Sequence, residues 1–383
     1  MRELTVTVRA WQDAGVAAGR AVVVRTFGSA PRPEGASLVV AADGRILGSV
    51  SGGCVEGAAA EEVARARRDG ASRVVRYGIS DAQAWDVGLA CGGTIDVLVE
   101  PLVRPEVLEA ARSAAGRAVA ILLPPDAPPD VREPHPTGAG APPDPCLVVG
   151  PGGARLAGGL GDAAADAADA PIAAGALAEG RSGVVAVPVG VVERQVFVEV
   201  FPVRPRLVVV GAVQVAIPLV AIARTLGYDT VVVDGRASFL TTERFPTADR
   251  LVLGWPDEAA DAIGLGPDDA LAVLTHDPKF DEPGIVLGLA RGCRYVGAVG
   301  SRRTQAARRA RLAEAGVSEA DLDRVSGPIG LDLGGRSPEE TALAIMAEVV
   351  AARHGGTGRA LHAIAADARG SGRAPAADGG DAS

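Results

Sequence analysis

Two cysteines stand where a thiol could do chemistry. Cys54 follows Gly52-Gly53, and Cys91 precedes Gly92-Gly93. A cysteine in a glycine loop is accessible, and converging backbone N–H groups favour its thiolate. Residues 55–68, rich in Ala, Glu and Arg, read as a helix that starts beside Cys54. The partial positive charge of that helix N-terminus would add to the same field. We therefore expect Gly52, Gly53 and Cys54 to form a cradle for an anion. Cys54 would be the sulfur or metal contact, since a soft thiolate suits both, with Cys91 as a second candidate. The alternative is that both cysteines fill tight turns. Cys146 and Cys293 read as lying inside strands, where a thiol is structural.

The second half carries a different set. Gly211-Ala212-Val213-Gln214-Val215-Ala216 follows an apolar strand. A dinucleotide fingerprint asks for Gly-x-Gly-x-x-Gly or Ala at this place. Gly211 and Ala216 match its first and third positions, whereas Val213 replaces the second glycine. Asp234 ends the next strand, where a ribose-binding acid belongs. A Rossmann scaffold with NAD(P) and one without it both remain open. Thr275-His276-Asp277 follows the fourth buried strand of this half, at the carboxyl edge where such sheets place ligands. The simpler reading there is a helix-capping Asp277 beside a structural histidine. Gly300-Ser301-Arg302-Arg303 opens a helix with two arginines, which oppose the macrodipole unless an anion sits with them. A solvated basic face is the alternative, since Arg308, Arg309 and Arg311 follow.

These residues need elements to position them. Residues 3–18 read as a helix and Arg20 to Phe27 as a buried strand. Ser37 to Ala42 and Arg45 to Val50 read as a hairpin closed by a two-residue Asp43-Gly44 turn. Further strands are expected at Arg73–Tyr77, Thr94–Glu100, Ala118–Leu123, Cys146–Gly150, Val184–Val189 and Gln195–Phe201. Helices are expected at 105–115 and 161–180. Nine prolines crowd residues 124–145, which read as a loop or disordered insert. Pro202-Val203-Arg204-Pro205 is the expected linker between a domain at 1–202 and another at 206–354. From Arg206 strands and helices alternate, which implies a doubly wound parallel sheet. Ser337, Pro338 and Glu340 predict a capped final helix over 338–353. Residues 355–383 read as a disordered tail. The expected fold is α/β: a mixed N-terminal domain and a Rossmann-like C-terminal one.

Composition narrows the function classes. The 383 residues carry 38 basic and 47 acidic side chains, a net charge of −9. That excess argues against nonspecific binding to nucleic acid or to a membrane surface. No apolar run approaches the ~20 residues of a membrane span, and the first residues do not read as a signal peptide. The four cysteines form no Cys-x-x-Cys pair, so we expect a reduced, cytoplasmic protein. Hydrophobic residues make up 48% but aromatics only 3%, so the cores must be packed with Ala, Val and Leu.

Taken in order, these stretches resemble the XdhC/CoxI family, the accessory proteins of xanthine dehydrogenase and carbon monoxide dehydrogenase. The likeness rests on Gly28-Ser29-Ala30-Pro31-Arg32-Pro33-Glu34-Gly35, on Gly48 to Gly57, and on Gly88-Leu89-Ala90-Cys91-Gly92-Gly93. In the second half it rests on Val233-Asp234-Gly235-Arg236, Thr275-His276-Asp277, Gly297 to Arg302 and Pro328-Ile329-Gly330-Leu331-Asp332. The resemblance implies a carrier that binds the molybdenum cofactor, protects it during sulfuration by a cysteine desulfurase, and delivers it to an apo-molybdoenzyme. It implies a carrier rather than an enzyme, and leaves a homodimer open. Arg32 and Arg302 are the arginines expected to meet the pyranopterin phosphate or the oxyanionic metal centre. Two positions depart from the family pattern: Val213 in the Rossmann turn, and Pro278, where some members have a second histidine. Two other functions fit parts of the sequence: an NAD(P)-dependent oxidoreductase using the Rossmann half, and a scaffold bridging desulfurase and apo-enzyme without a small ligand.

Overall fold

The computed structural model describes residues 1–78, 93–124, 145–189 and 192–364. It forms two compact units, Met1–Val203 and the chain from Arg204 onward. Cys91, nearly all of the Pro-rich insert, and the tail beyond residue 364 lie outside the described residues.

The first unit opens with a single 3-10 turn and helix α1 (Thr5–Asp13), shorter than the 3–18 expected. Thr5, Val6, Thr7 and Val8 are poor helix formers; Val8 and Trp11 hold the helix by burial. Five strands follow: β1 (Ala18–Phe27), β2 (Ser37–Ala41), β3 (Ile46–Gly48), β4 (Arg73–Tyr77) and β5 (Thr94–Glu100), with helix α2 (Glu56–Asp69) between β3 and β4. They pair antiparallel in the order β3-β2-β1-β5-β4. The β2–β3 turn has three residues, not two. The Gly44 N–H donates to Ala41 O, the Ala41 N–H donates to Arg45 O, and Gly44 takes φ +89°. That is a type I turn closed by a glycine bulge.

After helix α3 (Pro105–Arg112) the same plan recurs. Strands β6 (Arg117–Leu122), β7 (Cys146–Val149), β8 (Arg155–Gly159), β9 (Gly183–Val189) and β10 (Val192–Phe201) pair in the order β8-β7-β6-β10-β9, with helix α4 (Ala163–Glu179) between β8 and β9. The unit is thus a duplicated ββ-β-α-ββ motif. Sequence reading missed β8, whose residues are mostly exposed and include two glycines.

Layering follows from strand periodicity. On β1, Ala21 and Val23 face Ala59, Val63 and Ala66 of α2. Val22 and Val24 face Val119, Ile121 and Phe197 of the second sheet, whose other face packs on Ala165, Ala173 and Leu177 of α4. The order is helix, sheet, sheet, helix. Between the sheets lies an ion cluster. Arg20 bonds Glu100 at 2.8 Å and Glu199 at 2.7 Å, and Arg104 also bonds Glu100.

The second unit is the expected doubly wound sheet. Strands β11 (Arg206–Val210), β12 (Asp229–Asp234), β13 (Arg250–Leu253), β14 (Ala270–Val273), β15 (Tyr295–Ala298) and β16 (Val325–Ser326) are all parallel, in the order β13-β12-β11-β14-β15-β16. Helices α5 (Ala216–Thr225) and α10 (Pro338–His354) cover one face. Helices α6 (Ala260–Ile263), α7 (Pro278–Ala290), α8 (Arg302–Glu314) and α9 (Glu319–Leu322) cover the other. The Ser337–Glu340 capping box forms as expected. The one-turn α6 and α9 and the two-residue β16 are too short for a periodic signal. Cys293 is buried in the turn before β15 rather than within a strand. Among the described residues, no helix is long and apolar enough to cross a membrane.

Candidate functional site

Strand direction gathers the glycine loops of the first unit. β1 runs antiparallel to β2 and to β5, and β3 and β4 run with β1. The loop after Phe27, the loop after Gly48, and the strand ends Tyr77 and Thr94 therefore all lie at one edge of the first sheet. Loop 28–36 folds back along β1: the Gly35 N–H donates to Val23 O, and Glu34 accepts from the Thr26 N–H and hydroxyl. A Cβ on Gly93 would come within 2.7 Å of Ser29 O, so the glycine there allows two backbones to touch.

Cys54 is exposed in the loop between β3 and α2. The donors around it are not open. The Glu56 carboxylate turns back into the loop and accepts from the backbone N–H groups of Ser51, Gly52, Gly53 and Val55 at 2.8–3.2 Å. It also accepts from the hydroxyls of Ser49 and Ser51, each at 2.6 Å. The Cys54 N–H donates to Ser51 Oγ. Burial opposes the charge on Glu56, but the bonds from Ser49 and Ser51 outweigh it and hold the pKa at about 2. The expected cradle exists, but a carboxylate of the chain itself occupies it. Glu56 escaped the sequence reading. Its signal was an acid in the first turn of a helix preceded by two glycines and two serines.

Arg32 is exposed and lines a pocket of about 570 Å³ with Glu34, Ser37, Gly48, Arg181 and Glu199. Cys54 does not line this pocket. Among the described residues, no group of three or more His, Cys, Asp or Glu could hold a metal ion.

In the second unit the carboxyl edge of the sheet carries the expected residues. Gly211 takes φ +108°, and a Cβ there would lie 2.4 Å from Thr275 Cγ2. The glycine lets β11 turn against the end of β14. Asp234 is fully buried. Its carboxylate accepts from the Ala212 N–H at 2.8 Å and from the Arg236 N–H and guanidinium at 2.8–2.9 Å. Burial disfavours that charge, but the Arg236 and Ala212 bonds lower the pKa below the usual carboxylate range. Arg244 closes the other side of the turn, donating to Ala212 O at 2.9 Å. The Asp234 acceptor and the Ala212 donor at this turn are bonded to each other.

Asp277 caps α7, its side chain accepting from the Lys279 N–H, and Pro278 occupies the first turn. His276 beside it is exposed. Ser301 caps α8, and Arg302 and Arg303 are exposed at its start. Beneath these loops lies a buried network the sequence did not reveal. Thr275 donates to Asp281, Arg308 bonds Asp281 at 2.6 Å, and Arg308 also reaches Val299 O. It fixes the ends of β14 and β15 against α7 and α8.

Known proteins place these loops in a family. Residues 207–349 match the model of the XdhC Rossmann domain. Residues 11–78, which hold the Cys54 loop, match the model of the XdhC and CoxI family. The chain belongs to the XdhC/CoxI family. The family's two matched segments carry both the filled glycine loop and the Asp234 turn. Among curated relatives, a probable xanthine dehydrogenase subunit of Bacillus subtilis (strain 168) is 26% identical over 87% of this chain and 92% of its own length. The molybdenum cofactor insertion chaperone PaoD of Escherichia coli (strain K12) is 28% identical over 86% of this chain and 82% of its own. A crystal structure of a protein described as a xanthine dehydrogenase, from Bacillus halodurans, shares the fold. Its TM-score is 0.70 at 23% identity, covering 95% of this chain and 98% of that one.

Proposed function

We propose that this XdhC/CoxI family member carries the molybdenum cofactor and inserts it into an apo-enzyme of the xanthine dehydrogenase or carbon monoxide dehydrogenase type. The observation that carries the reading is the exposed Cys54 thiol, held on a fully bonded loop at the sheet edge where loop 28–36 also emerges. The likeness to the insertion chaperone PaoD over most of both chains supports the same role. The cofactor is cargo here. Cys54 would contact its metal or the sulfur delivered to it, and Arg32 would meet its phosphate. Cys91 is proposed as a second thiol. Gly211, His276, Asp277, Ser301 and Arg302 are proposed as cofactor contacts within the second unit, with Asp234 holding the shape of its turn. A cysteine desulfurase is the proposed sulfur source, and the cytoplasm the proposed site of action.

The test is to purify the full chain after co-expression with cofactor synthesis and assay bound pterin. Near-stoichiometric pterin in the wild type, lost in Cys54→Ala, is the expected result. A wild-type protein without pterin removes the carrier reading; pterin undiminished in Cys54→Ala removes the thiol's part in it.

A further inference from the structure

We propose that Glu56 is the positioning residue of the Cys54 loop: a built-in anion that fills the ring of donors from Ser49 to Val55, fixes the thiol's presentation, and bars external oxyanions from those donors. The inference deepens the carrier reading and rests on it for the meaning of Cys54, but not for its own test.

The backbone donors from Ser51 to Val55 are all bonded within the loop. The N–H groups of Ser51, Gly52, Gly53 and Val55 reach Glu56, and the Cys54 N–H reaches Ser51 Oγ. The Ser51 hydroxyl in turn donates to Glu56 at 2.6 Å. The glycines serve this arrangement. Gly52 and Gly53 take φ +81° and +122°, and a Cβ on either would meet nothing within 4 Å. Glycine is needed for the backbone angles that turn these N–H groups inward, and no neighbouring part of the fold crowds either Cα. An arriving oxyanion would meet a carboxylate where the N–H groups of Ser51 to Val55 converge. Contact with cargo at this loop then falls to sulfur, and phosphate recognition falls to arginines elsewhere.

Two measurements on the full-length protein test this without any pterin. The first follows alkylation of Cys54 by iodoacetamide, read on its peptide by mass spectrometry. In Glu56→Gly the vacated donors and the helix N-terminus act on the thiol, and labelling becomes about two- to fivefold faster. Sodium acetate, refilling the ring, brings the rate back toward that of the wild type, which acetate leaves unchanged. The second follows the backbone amide signals of Ser51, Gly52 and Gly53 during titration with inorganic phosphate. The wild type stays silent, and Glu56→Gly shows saturable shifts. Should Glu56→Gly fail to fold, the near-isosteric Glu56→Gln is read in both assays, with a smaller change in the same direction. An unchanged alkylation rate in the variant, or saturable phosphate shifts in the wild type, overturns the proposal.

Discussion

Oδ2 of Asp234 lies 2.8 Å from the backbone nitrogen of Ala212, so the acid at the end of β12 bonds the very turn that a dinucleotide fingerprint would have it share with a cofactor. Arg236 completes the lock from the outside. Isothermal titration with NAD(H) or NADP(H) is therefore expected to be flat. Asp234→Ala leaves the Ala212 N–H and Arg236 without their acceptor and lowers unfolding free energy by about 2–3 kcal/mol. Because the folded pKa of Asp234 is below its unfolded value, its contribution is present above about pH 4 and lost as pH falls further. Urea melts at pH 7 and at acid pH would show the gap between wild type and variant narrowing.

Asp169 behaves in the opposite sense. It is fully buried on α4, and neither carboxylate oxygen has a hydrogen-bond partner. Burial first, and Asp166 second, raise its pKa to about 6. The folded state then binds the proton more tightly than the unfolded one. Stability is full below about pH 4 and declines as pH rises toward 6. Asp169→Asn should stabilise the protein at pH 7.5 by about 2 kcal/mol, with little effect near pH 4. A melting-temperature series across this range checks it; equal effects at both ends would contradict the assignment.

The Arg20 cluster sets a different kind of limit. Removing Arg20 leaves Glu199 buried without its cation, while Glu100 keeps Arg104. Arg20→Ala is expected to destabilise by about 3–5 kcal/mol, measured by chemical denaturation. A loss under about 1 kcal/mol would mean the cluster is wetter than its burial implies.

Two glycines of the hairpin separate strain from crowding. Gly44 takes φ +89° with open space around its Cβ position, so Gly44→Ala should lose about 1–2 kcal/mol from backbone strain alone. Gly48 takes φ +79°, and a Cβ there would lie 2.2 Å from Ser37 O. Gly48→Ala cannot be absorbed by a rotamer change and must tear the β2–β3 pairing, which leads into the Cys54 loop. Its loss should exceed that of Gly44→Ala clearly; equal losses would refute the steric account.

Thiol labelling should rank the cysteines. Cys54 is exposed, whereas Cys146 and Cys293 are buried. Burial raises both of their pKa values, that of Cys293 to about 11. Native protein with a neutral maleimide should modify Cys54 well before the other two, and denaturant should level the rates. Peptide mapping reads each site separately. Fast modification of Cys146 in the native state would show that its sheet opens.

What depends on near neighbours is legible in the chain before it folds. The apolar run of β1, the alternation along β5, the strand–helix alternation from Arg206, and the Ser337–Glu340 cap are written in residues a few positions apart, where periodicity and capping chemistry suffice. The glycine loops and Cys54 stand out for the same reason. The repeated strand order of the first unit emerges only on folding, because β8 and the later strands share arrangement rather than pattern. The direction of two carboxylates does so too. A sequence places Glu56 and Asp234 beside glycine turns. Whether such an acid awaits a ligand or bonds the turn itself depends on through-space donor geometry, which φ angles at Gly52, Gly53 and Gly211 set and composition does not.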